Sequence, residues 1–132
     1  TSHVLPALIR KFHEAKVNDA PYVELWGTGT PRREFLYVDD LADAVVFLMK
    51  TYENDEHINI GTGEDVTILE LAEIIKEIVG YSGKIKFDAT KPDGTMRKLL
   101  DVSKLNQMGW RSKISIREGI STAFAEYKES LR

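Results

Sequence analysis

The sequence predicts a mixed α/β domain. Apolar residues recur at helical spacing in four separate stretches, and short alternating, strand-like segments lie between them. The 132 residues are one domain's worth of chain, long enough to bury roughly two-thirds of the unfolded surface.

Val4, Leu5, Leu8, Ile9 and Phe12 fall on one helical face. Pro6 fits only a first turn, so this helix begins near His3 or Val4 and stops before Asn18-Asp19-Ala20-Pro21. Tyr22 to Trp26 alternates as a strand, and Glu34 to Val38 is extended again. The intervening Gly27-Thr28-Gly29-Thr30-Pro31 suggests that the two form a hairpin-like pair. Asp39-Asp40 supplies N-cap chemistry for a helix through Met49, with Leu41, Ala44, Val45, Leu48 and Met49 as its apolar face. His57 to Ile60 reads as a short strand ending in Gly61-Thr62-Gly63. Thr67-Ile68-Leu69-Glu70 is a capping box, followed by the stripe Ile68, Leu71, Ala72, Ile75, Ile78 and Val79 and a stop at Gly80. Lys84 to Phe87 alternates as a strand, and Asp88 to Arg97 is polar and turn-rich. Leu99 to Val102 reads as a short extended piece and Ser103 to Met108 as a helical turn. Ser115-Ile116-Arg117-Glu118 is a second capping box, opening a helix that carries Ile116, Ile120, Ala123, Phe124 and Tyr127.

Composition narrows the function classes. Eighteen Lys and Arg against 21 Asp and Glu leave a net charge of −3, which speaks against a broad surface for nucleic acid. Without cysteine the chain has no disulfide, thiolate zinc site, Fe–S cluster or cysteine nucleophile of its own. His3, His13 and His57 lack metal-ligand spacing, so no metal site is expected. Apolar runs fall far short of the ~20 residues of a membrane span, and no signal-peptide pattern opens the chain. Thr1 stands where a start Met would be, which suggests a piece of something longer.

Three glycine-bearing or charged loops are candidate sites. Gly61-Thr62-Gly63 invites a dinucleotide reading, but the third fingerprint position is Val66, and a βα turn using glycine's positive φ explains it better. Gly27 to Arg33 places a glycine loop beside two arginines, whose planar forks match phosphate oxygens. By itself that loop also fits a solvated hairpin tip, and Trp26 fits a core tryptophan as well as a stacking platform. Lys91 to Lys98 contains a Pro-Asp-Gly turn with Arg and Lys behind it, either an exposed connection or a polar ligand loop. No Tyr is followed four residues later by Lys.

Several blocks resemble one enzyme family. Ser2-His3-Val4-Leu5-Pro6-Ala7-Leu8-Ile9-Arg10-Lys11-Phe12-His13, then Trp26-Gly27-Thr28-Gly29-Thr30-Pro31-Arg32-Arg33-Glu34-Phe35-Leu36-Tyr37-Val38-Asp39-Asp40, are similar to segments of extended short-chain dehydrogenase/reductases acting on nucleotide sugars. Pro92-Asp93-Gly94-Thr95, then Arg97-Lys98-Leu99-Leu100-Asp101 and Leu105 to Trp110, resemble the GDP-L-fucose synthase family within the NAD-dependent epimerase/dehydratases. The resemblance covers nearly the whole chain but only the C-terminal part of such an enzyme.

That resemblance implies a single C-terminal substrate-binding lobe over residues 1–132, without most of the NADP-binding Rossmann domain. The family's reaction converts GDP-4-keto-6-deoxy-D-mannose to GDP-L-fucose by epimerisation at C3 and C5 and NADPH-dependent reduction at C4. By the same resemblance His3 is the catalytic acid/base that works with a cysteine, absent from this chain, and also lies near the nicotinamide, and an imidazole suits that proton-transfer role. Lys11, Trp26, Arg33, Asp93 and Lys98 match substrate-binding positions. NADP(H) is the cofactor of the whole enzyme and none is expected on the fragment, which is expected to be inactive alone. The implied partners are the GDP-sugar, the protein's own N-terminal Rossmann domain and, at full length, a second subunit, with no nucleic acid or membrane. The implied compartment is the cytoplasm. The helix after Asp39 would expose apolar residues that the Rossmann domain normally covers. The rival readings are a lobe of another nucleotide-sugar epimerase or dehydratase, and a non-catalytic nucleotide-sugar binding module.

Overall fold

Helices α1 (Val4–Val17), α3 (Ile68–Val79) and α5 (Ile116–Ser130) pack on one another, and their shared core continues into a two-stranded parallel sheet, β1 (Tyr22–Trp26) with β4 (Lys84–Asp88). A second, minimal antiparallel pair joins β2 (Arg32–Arg33) to β3 (Val66–Thr67). Helices α2 (Val38–Thr51) and α4 (Ser103–Gln107) complete the elements. This computed structural model describes residues 4–35, 37–51, 58–62, 65–93 and 101–132.

Local chemistry accounts for most of the helices. Pro6 lies in the first turn of α1, where its missing N–H has no helical partner to lose. Leu5, Leu8, Ile9, Phe12 and Ala15 are buried at the predicted spacing. In α3 the Thr67 hydroxyl accepts the Glu70 N–H (3.1 Å), and the Glu70 carboxylate accepts the Thr67 N–H (2.9 Å). Gly80, at φ 81°, ends the helix with its N–H on the Lys76 and Glu77 carbonyls. Lys16 of α1 donates to the Val79 carbonyl (3.0 Å), so one helix caps the other. Ser115 caps α5 by accepting the Glu118 N–H (3.1 Å). In β1, Val23 and Leu25 are buried while Tyr22, Glu24 and Trp26 face out, the period-two pattern of a half-covered strand.

The tertiary structure departs from the sequence reading in several places. The hairpin does not form: β1 pairs in parallel with β4, Trp26 opposite Asp88. A parallel neighbour must return by a long crossover, and the chain from β1 through α3 to β4 is that crossover. The loop read as a hairpin tip instead caps α3, its Gly29 and Pro31 carbonyls accepting the Leu69 and Ile68 amides (3.1 and 2.9 Å). Gly29 passes so close beneath Phe87 that a Cβ would lie 2.7 Å from the ring.

The segment from Glu34 to Val38 is not a strand. Pairing is confined to Arg32 and Arg33, and α2 has begun by Val38, with the Leu41 N–H bonded to the Tyr37 carbonyl (2.9 Å). Asp39 and Asp40 are therefore first-turn residues rather than N-caps. Among the described apolar residues of α2, Ala44 is buried and Phe47 and Leu48 are half-buried, in a small cluster with Leu105 and Trp110, while Leu41, Val45, Val46 and Met49 are exposed.

Ile58 to Ile60 is irregular, as are Asp101 and Val102, so neither predicted short strand is present where described. The remainder of those two stretches, His57 and Leu99-Leu100, lies outside the described residues. Gly61 is not in the left-handed region. Its lack of a side chain serves close packing instead, because a Cβ there would meet the Glu34 carboxylate.

Candidate functional site

Trp26 ends β1 with 62% of its surface exposed, on the outward side that the strand's alternation dictates. The Lys91 ammonium stands 5.6 Å from its ring centroid. Beyond Trp26 the chain turns through Gly27 and is fastened by Asp93, whose carboxylate accepts the Thr28 N–H (2.7 Å) and the Thr28 hydroxyl (2.9 Å). Thus the two predicted site segments, Gly27–Thr30 and Lys91–Asp93, meet at one end of the parallel sheet. Asp93 holds that junction with both carboxylate oxygens.

Lys11 projects from α1 across β1 and donates to the Glu24 carbonyl (2.9 Å), two residues before Trp26. Arg33 occupies a different position, in a cleft of about 360 Å³. It is lined by Arg33, Phe35, Thr62, Asp65 and Val66 together with the segment Ser112 to Ile116. Lys11, Trp26 and Asp93 do not line it.

The two adjacent arginines are unlike. Arg32 is ion-paired to Asp65 at 2.9 Å, and this carboxylate raises its pKa further above the usual arginine value. Among the described residues Arg33 has no ion pair. Its guanidinium donates to the Arg32 carbonyl (2.8 Å) and has further N–H groups for an anion. Pairing with Thr67 and Val66 respectively puts the two side chains on opposite faces of the β2–β3 ribbon.

Three groups in this region escaped the sequence reading. Asp40, 3% exposed, accepts the backbone N–H groups of Lys113 (3.0 Å to one oxygen, 3.2 Å to the other) and Ile114 (3.0 Å). Asp43 accepts the Trp110 indole N–H (2.8 Å) and pairs with the Lys113 ammonium (3.2 Å); these two hold its carboxyl below the usual range, the indole contributing more. The Tyr37 hydroxyl donates to the Ile116 carbonyl (3.2 Å), and burial pushes its pKa up to about 12. Partners 67 to 79 positions away leave no local pattern, although the double aspartate was a signal that could have been followed further.

His3 and Lys98 lie outside the described residues. His13 packs against Phe124 and Tyr127, ring centroids 5.8 and 5.4 Å away, in the α1–α5 contact. Among the described residues no group of three or more His, Asp or Glu is arranged to hold a metal, and no helix is long and apolar enough to cross a membrane. A dinucleotide does not fit the described part of Gly61-Thr62-Gly63. The close approach that a fingerprint glycine keeps open for a pyrophosphate is filled at Gly61 by an acidic side chain, Glu34.

The comparisons with known proteins agree with this fold. Residues 1–61 match the sequence profile of the NAD dependent epimerase/dehydratase family. The structure superimposes on a GDP-mannoheptose C4 reductase from Campylobacter jejuni, solved with NADP bound, with TM-score 0.87 and 40% identity over 97% of this chain and 45% of that one. A GDP-L-fucose synthetase from Naegleria fowleri gives TM-score 0.85 and 26% identity over 98% of this chain and 40% of that one. Over residues 1–61 the chain is thus similar to the NAD dependent epimerase/dehydratase family.

Over nearly its full length it is similar to GDP-L-fucose synthases. GDP-L-fucose synthase 1 of Arabidopsis thaliana is 60% identical over 130 residues, which are 98% of this chain and 40% of the relative. The Escherichia coli K12 GDP-L-fucose synthase is 51% identical over 98% of this chain and 43% of its own length. The chain thus spans about 40% of the length of the curated relatives it matches.

Proposed function

We propose that this chain is the C-terminal, GDP-sugar-binding lobe of an NADP-dependent 3,5-epimerase/4-reductase that converts GDP-4-keto-6-deoxy-D-mannose to GDP-L-fucose. The observation that carries the reading is 51–60% identity over 98% of the chain to GDP-L-fucose synthases of a bacterium and a plant. In this reading residues 1–132 are one lobe, and the dinucleotide site lies in the remainder of the full-length protein, which also covers the exposed face of α2. The full-length protein is a homodimer acting in the cytoplasm, by the same likeness.

The chemistry assigns distinct work to the residues. Arg33, with no carboxylate partner among the described residues, grips the diphosphate, and Lys11 and Lys98 add positive charge that an overall acidic chain otherwise lacks. Trp26 offers an exposed aromatic face to the nucleotide sugar. Asp93 holds the loop behind Trp26 while its remaining lone pairs stay open to a sugar hydroxyl. His3 works at C3 and C5 as one member of an acid/base pair, the other being the family's cysteine, which lies in the remainder of the full-length protein. Both carbons flank the C4 ketone, so their hydrogens are acidic: one member removes the proton from one face, leaving an enolate, and the other gives a proton to the opposite face, which inverts the centre. NADPH supplies the hydride that reduces C4.

The nucleotide is better supported than the sugar. A GDP-L-colitose synthase of Yersinia pseudotuberculosis is 40% identical, and the GDP-mannoheptose C4 reductase is likewise 40% identical. These names share GDP and differ in the sugar. The test is to supply the full-length protein with NADPH and GDP-4-keto-6-deoxy-D-mannose and to identify the product. GDP-L-fucose is expected. Reduction without inversion at C3 and C5, or turnover only with a UDP-sugar, would refute the proposal.

A further inference from the structure

We infer that Asp40 is a positioning residue for the Arg33 cleft: it sets where the Ser112–Ser115 part of the lining stands relative to Arg33, and thereby how tightly a nucleoside diphosphate is held. The inference rests on the reading that Arg33 grips the diphosphate. Asp40 does not line the cleft. It is a buried carboxylate on the first turn of α2, and both its oxygens are spent on the successive amides of Lys113 and Ile114 at 3.0–3.2 Å. A buried carboxylate without its hydrogen bonds is costly, so these amides cannot drift without leaving a charge unanswered.

Tyr37, just before α2, donates to the Ile116 carbonyl at 3.2 Å, whereas Asp43, one turn on, reaches only the exposed end of the Lys113 side chain at 3.2 Å, a surface pair that leaves the backbone position to Asp40. Ser112 to Ile116 and Arg33 line the same cleft. Arg33 and Asp40 are only seven positions apart in the chain. One short segment therefore carries both the cation of the cleft and the clamp that places the Ser112–Ile116 part of its lining.

The experiment uses the full-length protein that carries this chain and reads GDP affinity by titration calorimetry, steady-state kinetics and amide hydrogen exchange. Asp40→Asn keeps the side-chain shape but turns an N–H₂ group toward amides that need an acceptor. Exchange at Lys113 and Ile114 should accelerate, Kd for GDP and KM for the GDP-sugar should rise roughly tenfold, and kcat should stay near wild type. Asp43→Asn, which leaves the Asp40 clamp intact, should change GDP affinity little. If Asp40→Asn does not fold, Asp40→Glu, one methylene longer, should give the same effects in graded form.

Faster exchange at Lys113 and Ile114 with unchanged GDP affinity would overturn the inference and leave Asp40 a residue of the fold alone. Equal losses of affinity in Asp40→Asn and Asp43→Asn would overturn it too, as general loosening. Arg33→Ala separates the underlying reading. If it binds GDP like wild type, the diphosphate reading fails and this inference with it. If it weakens GDP while Asp40→Asn does not, only the positioning role fails.

Discussion

Asp93 accepts both the backbone N–H and the hydroxyl of Thr28, at 2.7 and 2.9 Å, across 65 positions of sequence. This pair closes the junction between the glycine loop and the Pro-Asp-Gly turn. It also gives Asp93 a structural role that is separable from sugar binding. Asp93→Ala should lower stability by about 1 kcal/mol, the net worth of an exposed hydrogen-bonded pair, and should weaken GDP-sugar binding as well. Thermal melts alongside calorimetry check this. Unchanged Tm with weakened binding would mean that the Thr28 bonds contribute nothing and that Asp93 acts on the ligand alone.

Arg33→Ala should weaken GDP by tenfold or more in the full-length protein, since charge-assisted hydrogen bonds are worth about 1.5–3 kcal/mol. Arg32→Ala should leave GDP affinity nearly unchanged, because Arg32 is spent on Asp65 and lies on the other face of the ribbon. Lys98→Ala should fall between them, an ammonium being a point charge rather than a fork. Calorimetry on the three variants decides it. Equal losses at Arg32 and Arg33 would indicate a diffuse basic loop.

His3→Asn should slow epimerisation by about 10²–10⁴-fold while sparing ketone reduction by comparison. Incorporation of solvent deuterium at C3 and C5 isolates the proton-transfer step. Wild-type exchange in this variant would make His3 a structural residue. Residues 1–132 alone should oxidise no NADPH with the keto-sugar, and turnover above background would mean that the hydride-transfer machinery has been assigned to the wrong part of the protein.

Thr67→Ala should cost about 1 kcal/mol by removing the acceptor for the Glu70 N–H at the start of α3, measured by urea denaturation. The other half of the same box is pH-dependent. The Thr67 backbone N–H, first, and its side chain hold the Glu70 carboxyl below the usual glutamate range. A lowered folded-state pKa means that this contribution is present in full above the unfolded pKa and is lost as pH falls through the folded one. Glu70→Gln should therefore flatten the acid side of the stability curve. An identical acid limb in wild type and Glu70→Gln would argue against the box.

Every helix that the sequence announced is present, because each is written in contacts three or four residues apart. Pro6 marks a first turn, Thr67 with Glu70 and Ser115 with Glu118 mark starts, and Gly80 marks a stop. Trp26 and Arg33 were legible as candidates for the same reason, being glycine-loop neighbours with the right chemistry. What local pattern could not supply is partner choice. Tyr22 to Trp26 alternates equally well for any neighbour, and only the crossover through α3 makes that neighbour β4. The glycine loop looked like a hairpin tip until α3 arrived with open amides for it to cap. Asp39-Asp40 looked like a helix start, and only the fold turned one carboxylate inward onto Lys113 and Ile114. The sequence by itself determined the elements, their caps and the residue types of the site. The tertiary structure alone decided which of Arg32 and Arg33 has no carboxylate partner among the described residues and that Asp40 is buried, because both outcomes depend on groups far apart in the chain that only folding brings within hydrogen-bond reach.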